Sequence, residues 1–512
     1  MLIRDVCYST LPRGERRAAH ESVARYIEHT TGGKDRELAW LLAHHWEAAG
    51  DVARAIDYLL LAAERTQEAM AQNETVDLLE RAESLAPNDD AKTRVQLILA
   101  LARVRFEDFD RATVELEALL PKAKGRNELD ALLGLARCYH WTERTADTLK
   151  TAQRAIELAK GLGGELVGPA MARLSQGHAM RGQVGDLDRA LELGERAMEV
   201  WVPGIRLGDM AEHEHLLADQ HYWTGHYGRA LALSRAAREQ AVDPSSAEAM
   251  LRGGGMEGLL LTSMGRYEEA LASFDRVIAL GRELGRPVRV LLNYSTMTFR
   301  ELYDLDEARR RSEESLSHQV RSATFHMPWM NAAVDLMQTD LMAGEFGAAE
   351  VRWRELWDQV MATTAWERWL LGGKMAAIRA GIAFETGHPE AAAEWASKAI
   401  EMSLSVKRTK YESVARAVLG KALMSMGRRQ DALSELQKAV KGADSLGNPA
   451  ARWRARVDLA EALATTGDDE GQEIALREAA GIIREIEAGL APERAERFVA
   501  TPQVTRVLAA VR

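Results

Sequence analysis

Four histidines in the middle of the chain form the densest group of residues that could bind a metal ion. They are His213, His215, His221 and His226. On a helix, His213 and His215 would lie about 200° apart around the axis, and His215 and His221 about 240° apart. Two metal ligands on one helix must share a face, as at positions i and i+4. The spacing therefore predicts no metal site, and we expect these histidines to be solvated or to line a groove.

Catalytic motifs with a recognisable spacing are missing from the sequence. No Gly-x-Ser-x-Gly segment occurs, and Cys7 and Cys138 have no readable pairing with a histidine for nucleophilic catalysis. The Gly-Lys pairs at 33–34, 373–374 and 420–421 lack both the earlier glycine and the following hydroxyl residue of a phosphate-binding loop. We therefore predict that the chain is not an enzyme and binds no cofactor.

The composition predicts a helical protein that binds neither nucleic acid nor membranes. Only 12 of 512 residues are proline, 46% are hydrophobic and 28% are charged, and helix-favouring Ala, Leu, Glu and Arg dominate. The net charge of -11 disfavours binding to nucleic acids and anionic membranes. Two cysteines are too few for a disulfide framework, and no apolar stretch suits a membrane span or a signal peptide. We expect a cytoplasmic protein.

A seven-residue motif recurs along the chain. It reads GHYGRAL at 225–231, GRYEEAL at 265–271 and GRRQDAL at 427–433. Glycines in this frame are 40 residues apart at positions 185, 225 and 265, and again at positions 387, 427 and 467. A constant spacing of this size indicates an array of repeated structural units.

Each repeated unit has the features of a helical hairpin. Glycine ends the first helix because a residue without Cβ adopts the left-handed conformation at little cost. In the second helix, Ala230 and Ala237 are two turns apart, so both small side chains share a face and permit close helix packing. A 40-residue unit leaves about 17 residues for each helix. The sequence therefore predicts an all-α solenoid, a superhelix of about a dozen hairpins with a concave groove.

The recurring motif resembles the tetratricopeptide repeat (TPR), in which Gly and Tyr precede a helix that carries Ala, an aromatic residue and a second Ala. Tyr267, Ala270 and Phe274 give the best match, and Pro87 is one of the few closing prolines. The resemblance covers residues 36–489. It departs from the family in its period, which is near 40 rather than the usual 34 or so.

The resemblance implies which side chains line the groove. In TPR proteins the first helix of each hairpin faces inward, mainly through the residues 13, 10, 6, 3 and 2 positions before the turn. Charged, amide and aromatic residues hold these positions here, which suits a peptide or a polar small molecule better than a lipid. The candidates for ligand binding are Arg137, His140, Trp141, Glu212, His215, Asp219, Tyr222, Trp223, Arg252, Asn293, Met297, Arg300, Asn331, Val334 and Gln338.

Five of the 12 tryptophans fall within 41 residues: Trp329, Trp353, Trp357, Trp366 and Trp369. Trp353 and Trp357 share a helix face, as do Trp366 and Trp369. Exposed aromatic patches bind protein partners, so this cluster is a candidate partner surface. Aromatic residues at helical spacing also pack between repeats, and the sequence leaves both interpretations open.

The first residues resemble a segment of another protein class. Residues 2–11 (LIRDVCYSTL), with Arg16, Arg17, His20 and Ala24, are similar to the end of the winged-helix segment of bacterial signal-transduction ATPases with TPR-type sensors. The resemblance implies that an ATPase module is missing upstream of this chain.

The two resemblances together imply a division of the chain and two candidate functions. Residues 1–33 would be the winged-helix remnant, 34–489 the TPR-like superhelix and 490–512 a pair of capping helices. The first candidate function is the sensor module of a signal-transduction ATPase, which binds an effector or a protein and shifts an inactive-to-active equilibrium. The alternative is a free-standing scaffold that binds a peptide or protein partner in its groove.

Overall fold

The computed structural model describes residues 8, 10–30, 36–69, 71–239, 247–317 and 327–511. Within these ranges the chain forms 26 α-helices that pack pairwise as consecutive hairpins, which confirms the predicted all-α, TPR-like solenoid. The helices are α1 Arg13–Thr30, α2 Ala39–Ala49, α3 Val52–Glu68, α4 Gln72–Leu85, α5 Asp89–Arg105, α6 Phe109–Leu119, α7 Arg126–Trp141, α8 Thr145–Gly161, α9 Val167–Arg181, α10 Asp186–Val200, α11 Leu207–Trp223, α12 Tyr227–Glu239, α13 Ala247–Ser263, α14 Tyr267–Glu283, α15 Arg289–Glu301, α16 Leu305–Ser317, α17 Met327–Met342, α18 Phe346–Ala362, α19 Trp366–Glu385, α20 Pro389–Ser405, α21 Thr409–Ser425, α22 Arg429–Leu446, α23 Pro449–Thr466, α24 Asp469–Ala488, α25 Pro492–Val499 and α26 Pro502–Ala510.

The turn within each repeat has a residue with a positive φ angle. Most of these residues are glycine, as the sequence predicts, but Glu107, Glu143 and Tyr303 adopt the same conformation at φ 63°, 61° and 60°. At Tyr303 the turn closes with backbone hydrogen bonds from Tyr303 N to Arg300 O and from Asp304 N to Phe299 O. The same two bonds close the glycine turns, as at Gly265 and Arg266. The surrounding fold therefore imposes the left-handed conformation where glycine is missing.

Close packing inside a hairpin depends on a small residue opposite a large one. A Cβ on Gly258 of α13 would lie 2.6 Å from Phe274 Cζ of α14, and a Cβ on Gly420 of α21 would lie 2.5 Å from Leu436 Cγ of α22. Phe274 and Leu436 are fully buried. The two pairs have the same 16-residue spacing, so the same contact of a glycine with a large apolar residue recurs in distant repeats.

The described residues fall into two compact units. Unit 1 comprises those within Met1–Thr142 and Asp147–Arg173, and unit 2 comprises those within Glu143–Ala146 and Leu174–Arg512. In unit 1, α1 packs on α2 through Ala24, which is fully buried with Leu42 and Trp46. Residues 2–7 of the winged-helix-like motif lie outside the described residues. None of the helices described is both long and apolar enough to span a membrane.

Helices far apart in the sequence meet inside unit 2. Trp369 of α19 donates a hydrogen bond through Nε1 to Met180 O, 3.2 Å away, and its ring occupies the place that a Cβ on Gly182 would take. A Cβ on Gly265 would likewise lie 2.5 Å from Pro449 at the start of α23. The ends of the early hairpins of unit 2 therefore contact its later hairpins directly.

The last two helices extend the core of unit 2. Phe498 of α25 and Val504 and Val507 of α26 are buried with Ile483 of α24. Arg494 also donates to the Glu268 carboxylate on α14, at 2.6 and 2.7 Å.

Candidate functional site

The four central histidines are used for packing and for hydrogen bonds inside unit 2. His213 is fully buried, donates through Nε2 to Gly194 O at 2.9 Å and stacks on Trp201. His221 Nε2 lies 2.8 Å from a Glu195 carboxylate oxygen. Among the residues that the structure describes, no group of three or more His, Cys, Asp or Glu side chains could hold a metal ion.

The inner faces of α11 and α13 present several of the predicted groove residues. Glu212, His215, Asp219 and Arg252 are all partly exposed on these helices. Burial and the positive charge of Arg252 lower the pKa of His215 to about 3. Burial raises the pKa of Asp219 to about 7, although Arg252 opposes this shift. The His215 and Asp219 side chains approach to 3.9 Å between Nε2 and Oδ2.

A buried carboxylate connects three inner helices. Asp335 of α17 accepts hydrogen bonds from Arg300 of α15, from Lys374 Nζ of α19 at 2.7 Å and from Asn293 Nδ2 at 3.1 Å. All four residues are buried. The two cations outweigh the cost of burial and hold the pKa of Asp335 below its ordinary value. Two predicted groove residues, Asn293 and Arg300, are thus brought together here.

A second buried carboxylate lies at the end of α15. Lys410 Nζ of α21 is 3.5 Å from Glu301 Oε1, and Tyr267 OH donates to Glu301 Oε2 at 3.1 Å. Asn448 Nδ2 is 3.3 Å from both oxygens of the same carboxylate and 3.1 Å from Ser263 O. Glu301 therefore connects α15 to the starts of three other helices, α14, α21 and α23.

A third group lies at the start of α21 and consists of Arg408 and Tyr411. With the charged residues around Asp335 and Glu301 it forms what we call the inner charge cluster, namely Arg300, Glu301, Asp335, Lys374, Arg408, Lys410 and Tyr411. Arg408 donates to Leu370 O, and its guanidinium lies 4.6 Å from the centre of the Tyr411 ring. Lys374 Nζ lies 6.0 Å from the same ring. No carboxylate of the described residues lies within ion-pair distance of Arg408, and burial lowers its pKa.

The remaining groove candidates of unit 2 lie around this cluster. Tyr222 OH is 3.8 Å from Met297 Sδ, and Trp223 packs edge-on against Trp366 and Trp369. Asn331 and Gln338 are half-buried on α17, and Val334 is fully buried in the core.

The candidates in unit 1 lie on α7. His140 is buried, whereas Trp141 stacks on Phe109 with ring centres 6.2 Å apart. The Arg137 guanidinium lies 5.9 Å from the centre of the Phe109 ring. These three residues belong to unit 1, and the other predicted groove residues belong to unit 2.

The five clustered tryptophans divide into two groups within unit 2. Trp353 is buried and packs with Trp357 and with Trp395, at ring distances of 5.1 and 5.0 Å, and Trp329 lies at the edge of this core. Trp366 and Trp369 are buried in another core with Trp223. Burial of Trp353, Trp366 and Trp369 places them in the packing between repeats rather than on one exposed surface.

The groove candidates predicted from the sequence omit Lys374 of the inner charge cluster and its neighbour Arg454. The TPR register would have indicated both, because each lies 13 positions before a turn glycine, Gly387 and Gly467. Arg454 donates to Arg300 O and Glu301 O, both at 3.3 Å. The start of α21, with Arg408, Lys410 and Tyr411, lies outside the register and carries no sequence signal.

The fold and the repeats define a TPR-like α-solenoid. Residues 418–485 match the family profile described as tetratricopeptide repeat. No curated protein matches the chain by sequence. One chain of the crystal structure of the APC/C hetero-tetramer Cut9–Hcn1 has a similar fold, with a TM-score of 0.50 and 13% identity over 93% of this chain and 96% of that chain. A comparison with the crystal structure of yeast Tom70 gives 13% identity and a TM-score of 0.34, over 97% and 100% of the two chains.

Proposed function

We propose that the chain is a TPR scaffold that binds a peptide or protein partner. The observation that carries the proposal is the polar inner face of α11 and α13. There Glu212, His215, Asp219, Tyr222 and Arg252 are half-buried. In later hairpins several inner residues, among them Asn293, Arg300 and Lys374, are fully buried. Charged and aromatic side chains on a rigid helical surface bind polypeptides with little loss of conformational entropy in the scaffold. Repeat proteins use such surfaces for partners rather than for chemistry.

The test starts by purifying partners of the full chain and reconstituting the complex from purified components. The informative variants are Asp219→Asn and Arg252→Gln. Asparagine resembles the protonated acid, and the raised pKa of Asp219, about 7, means that the fold already accommodates that form. We expect each variant to weaken partner binding about tenfold by calorimetry, the loss typical of one charge-assisted hydrogen bond.

The matched control is Arg189→Gln on α10, an exposed residue that pairs with Glu192 three positions later. It removes the same charge from an outer helix, and we expect unchanged affinity. Equal binding by wild type, Asp219→Asn and Arg252→Gln would contradict the inner-face assignment. Failure of every candidate partner to bind the purified full chain would contradict the scaffold function.

A second candidate is the sensor module of a signal-transduction ATPase, and one observation in unit 1 favours it. Two residues on which that resemblance rests come together, because Tyr8 OH lies 2.9 Å from His20 Nε2. His20 Nδ1 also lies 2.8 Å from His45 Nδ1 of α2. The test compares nucleotide turnover of an ATPase that contains this chain with and without residues 36–489. Identical turnover and oligomeric state would contradict the sensor function.

A further inference from the structure

The interior of unit 2 contains more positive than negative charge. Within the inner charge cluster, the four cations Arg300, Lys374, Arg408 and Lys410 face only two carboxylates, those of Asp335 and Glu301. Within this cluster, four cations and two anions leave an excess of two positive charges, and the half-buried Arg454, which donates to Arg300 O and Glu301 O, adds another cation beside it. Buried charge without a counter-charge destabilises the folded state.

The excess is concentrated around one phenol. Lys374 and Arg408 flank the Tyr411 ring, at 6.0 and 4.6 Å from its centre, and Lys410 is the preceding residue. Although burial opposes it, the positive charges of Lys374, Arg408 and Lys410 lower the pKa of Tyr411 below its ordinary value. The positive charges around the phenol thus outweigh the effect of its burial.

Part of this cluster remains accessible from the interior of unit 2. Lys410 keeps 22% of its side-chain surface accessible, and Tyr411, Tyr222 and Tyr294 are also only partly buried. Arg408 uses one N–H group for Leu370 O, and a guanidinium has five N–H donors in a planar fork. The fork, two ammonium groups and a phenol match the oxygen atoms of a phosphate or a carboxylate.

We propose that unit 2 binds a small dianionic molecule at Lys374, Arg408, Lys410 and Tyr411, through a phosphate monoester or a pair of carboxylates. A dianion neutralises the two excess charges, and a phosphate monoester carries close to two negative charges at about pH 7. Lys374 and Arg408 are 5% and 8% exposed, which excludes a folded protein surface as the occupant. The site therefore goes beyond the proposed scaffold function and does not depend on it.

The test measures binding of inorganic phosphate and of succinate to the full chain by calorimetry and thermal unfolding, with chloride at equal ionic strength as the reference. We expect saturable binding and stabilisation by at least one of the two probes. Preference for phosphate or for succinate distinguishes the two chemistries. We expect Arg408→Gln to weaken binding about tenfold, Arg408→Lys to weaken it less, and Lys438→Gln on the exposed face of α22 to leave it unchanged.

A spectroscopic measurement on the wild-type chain covers the case in which Arg408→Gln does not fold. A bound anion neutralises the positive potential, so it should raise the pKa of Tyr411, measured as phenolate absorbance. The shift should be missing from Tyr411→Phe. No effect of either probe beyond chloride would overturn the proposal, as would unchanged binding by folded Arg408→Gln or an anion-induced shift that persists in Tyr411→Phe.

Discussion

A pair of buried carboxyl groups shows how a single residue can cost stability. Glu367, at the start of α19, is fully buried. Glu143, in the turn before α8, lies beside it within unit 2, and burial together with the charge of Glu367 raises the pKa of Glu143 to about 8. One of the two groups must therefore carry a proton for the pair to be tolerated.

Because of this pair, we expect the stability of the fold to depend on pH. Glu367→Gln should make that pH dependence weaker. The folded pKa of Glu143 exceeds the ordinary value of 4.5, so its contribution is fully present below about pH 4.5 and is lost as the pH rises through about 8. Glu367→Gln removes the neighbouring like charge and should therefore raise the free energy of unfolding near pH 8. The gain should be only about 1 kcal/mol, because solvent partly screens Glu143. Urea unfolding at several pH values checks this.

Glu401→Gln is the control for this change, because Glu401 is exposed on α20. We expect it to leave both the free energy of unfolding and its pH dependence unaltered. A steeper loss of stability with pH in Glu367→Gln than in wild type would show that the two carboxyl groups do not share a proton.

The hairpin is the element whose geometry depends most directly on residue type. Gly427 and Gly481 both have open space where a Cβ would be added, but only Gly427 has a positive φ, of 76°. Gly427→Ala should lower the free energy of unfolding by about 1 kcal/mol, because the left-handed conformation disfavours a Cβ. Gly481→Ala, inside α24, should raise it by about 0.5–1 kcal/mol. Thermal unfolding of both variants measures the difference, and equal effects would contradict it.

The turn conformation also explains which repeats the sequence motif finds and which it misses. The motif marks the turns at Gly225, Gly265 and Gly427, where glycine provides the left-handed residue locally. At Glu143 and Tyr303 the same conformation is maintained by tertiary packing, as in the contact of Tyr303 with Trp453 and Arg454. The sequence signal is accordingly weak at those turns.

At the scale of the whole molecule, stability depends on contacts between distant hairpins of unit 2. Asn448 is 1% exposed, and its side chain has two roles. Its Oδ1 accepts from Ala451 N as the cap of α23, and its Nδ2 reaches Ser263 O and Glu301. The cap is a local interaction, whereas the second set holds α23 against α13 and α15.

Asn448→Asp should separate these two roles. Aspartate keeps the cap but loses the donor and places a second carboxylate beside Glu301. We expect a loss of about 3 kcal/mol in the free energy of unfolding, with faster hydrogen exchange at the facing ends of α13, α15 and α23. Asp468→Asn, at the exposed cap of α24, makes the reverse change and should alter stability by less than about 0.5 kcal/mol. Unchanged exchange in Asn448→Asp would contradict a role for Asn448 in closing unit 2.

The sequence by itself determined the all-α repeat architecture, the period and most turn positions. These features follow from local chemistry, namely glycine at left-handed turns and small residues such as Ala230 and Ala270, both fully buried, at helix crossings. Only the tertiary structure decided which inner residues meet. Lys410 contacts Met297 across 113 residues, and Trp369 contacts Met180 across 189. Such contacts depend on the small rotation between each hairpin and the next, added over many stacked hairpins. The sequence of a single hairpin does not determine this accumulated rotation.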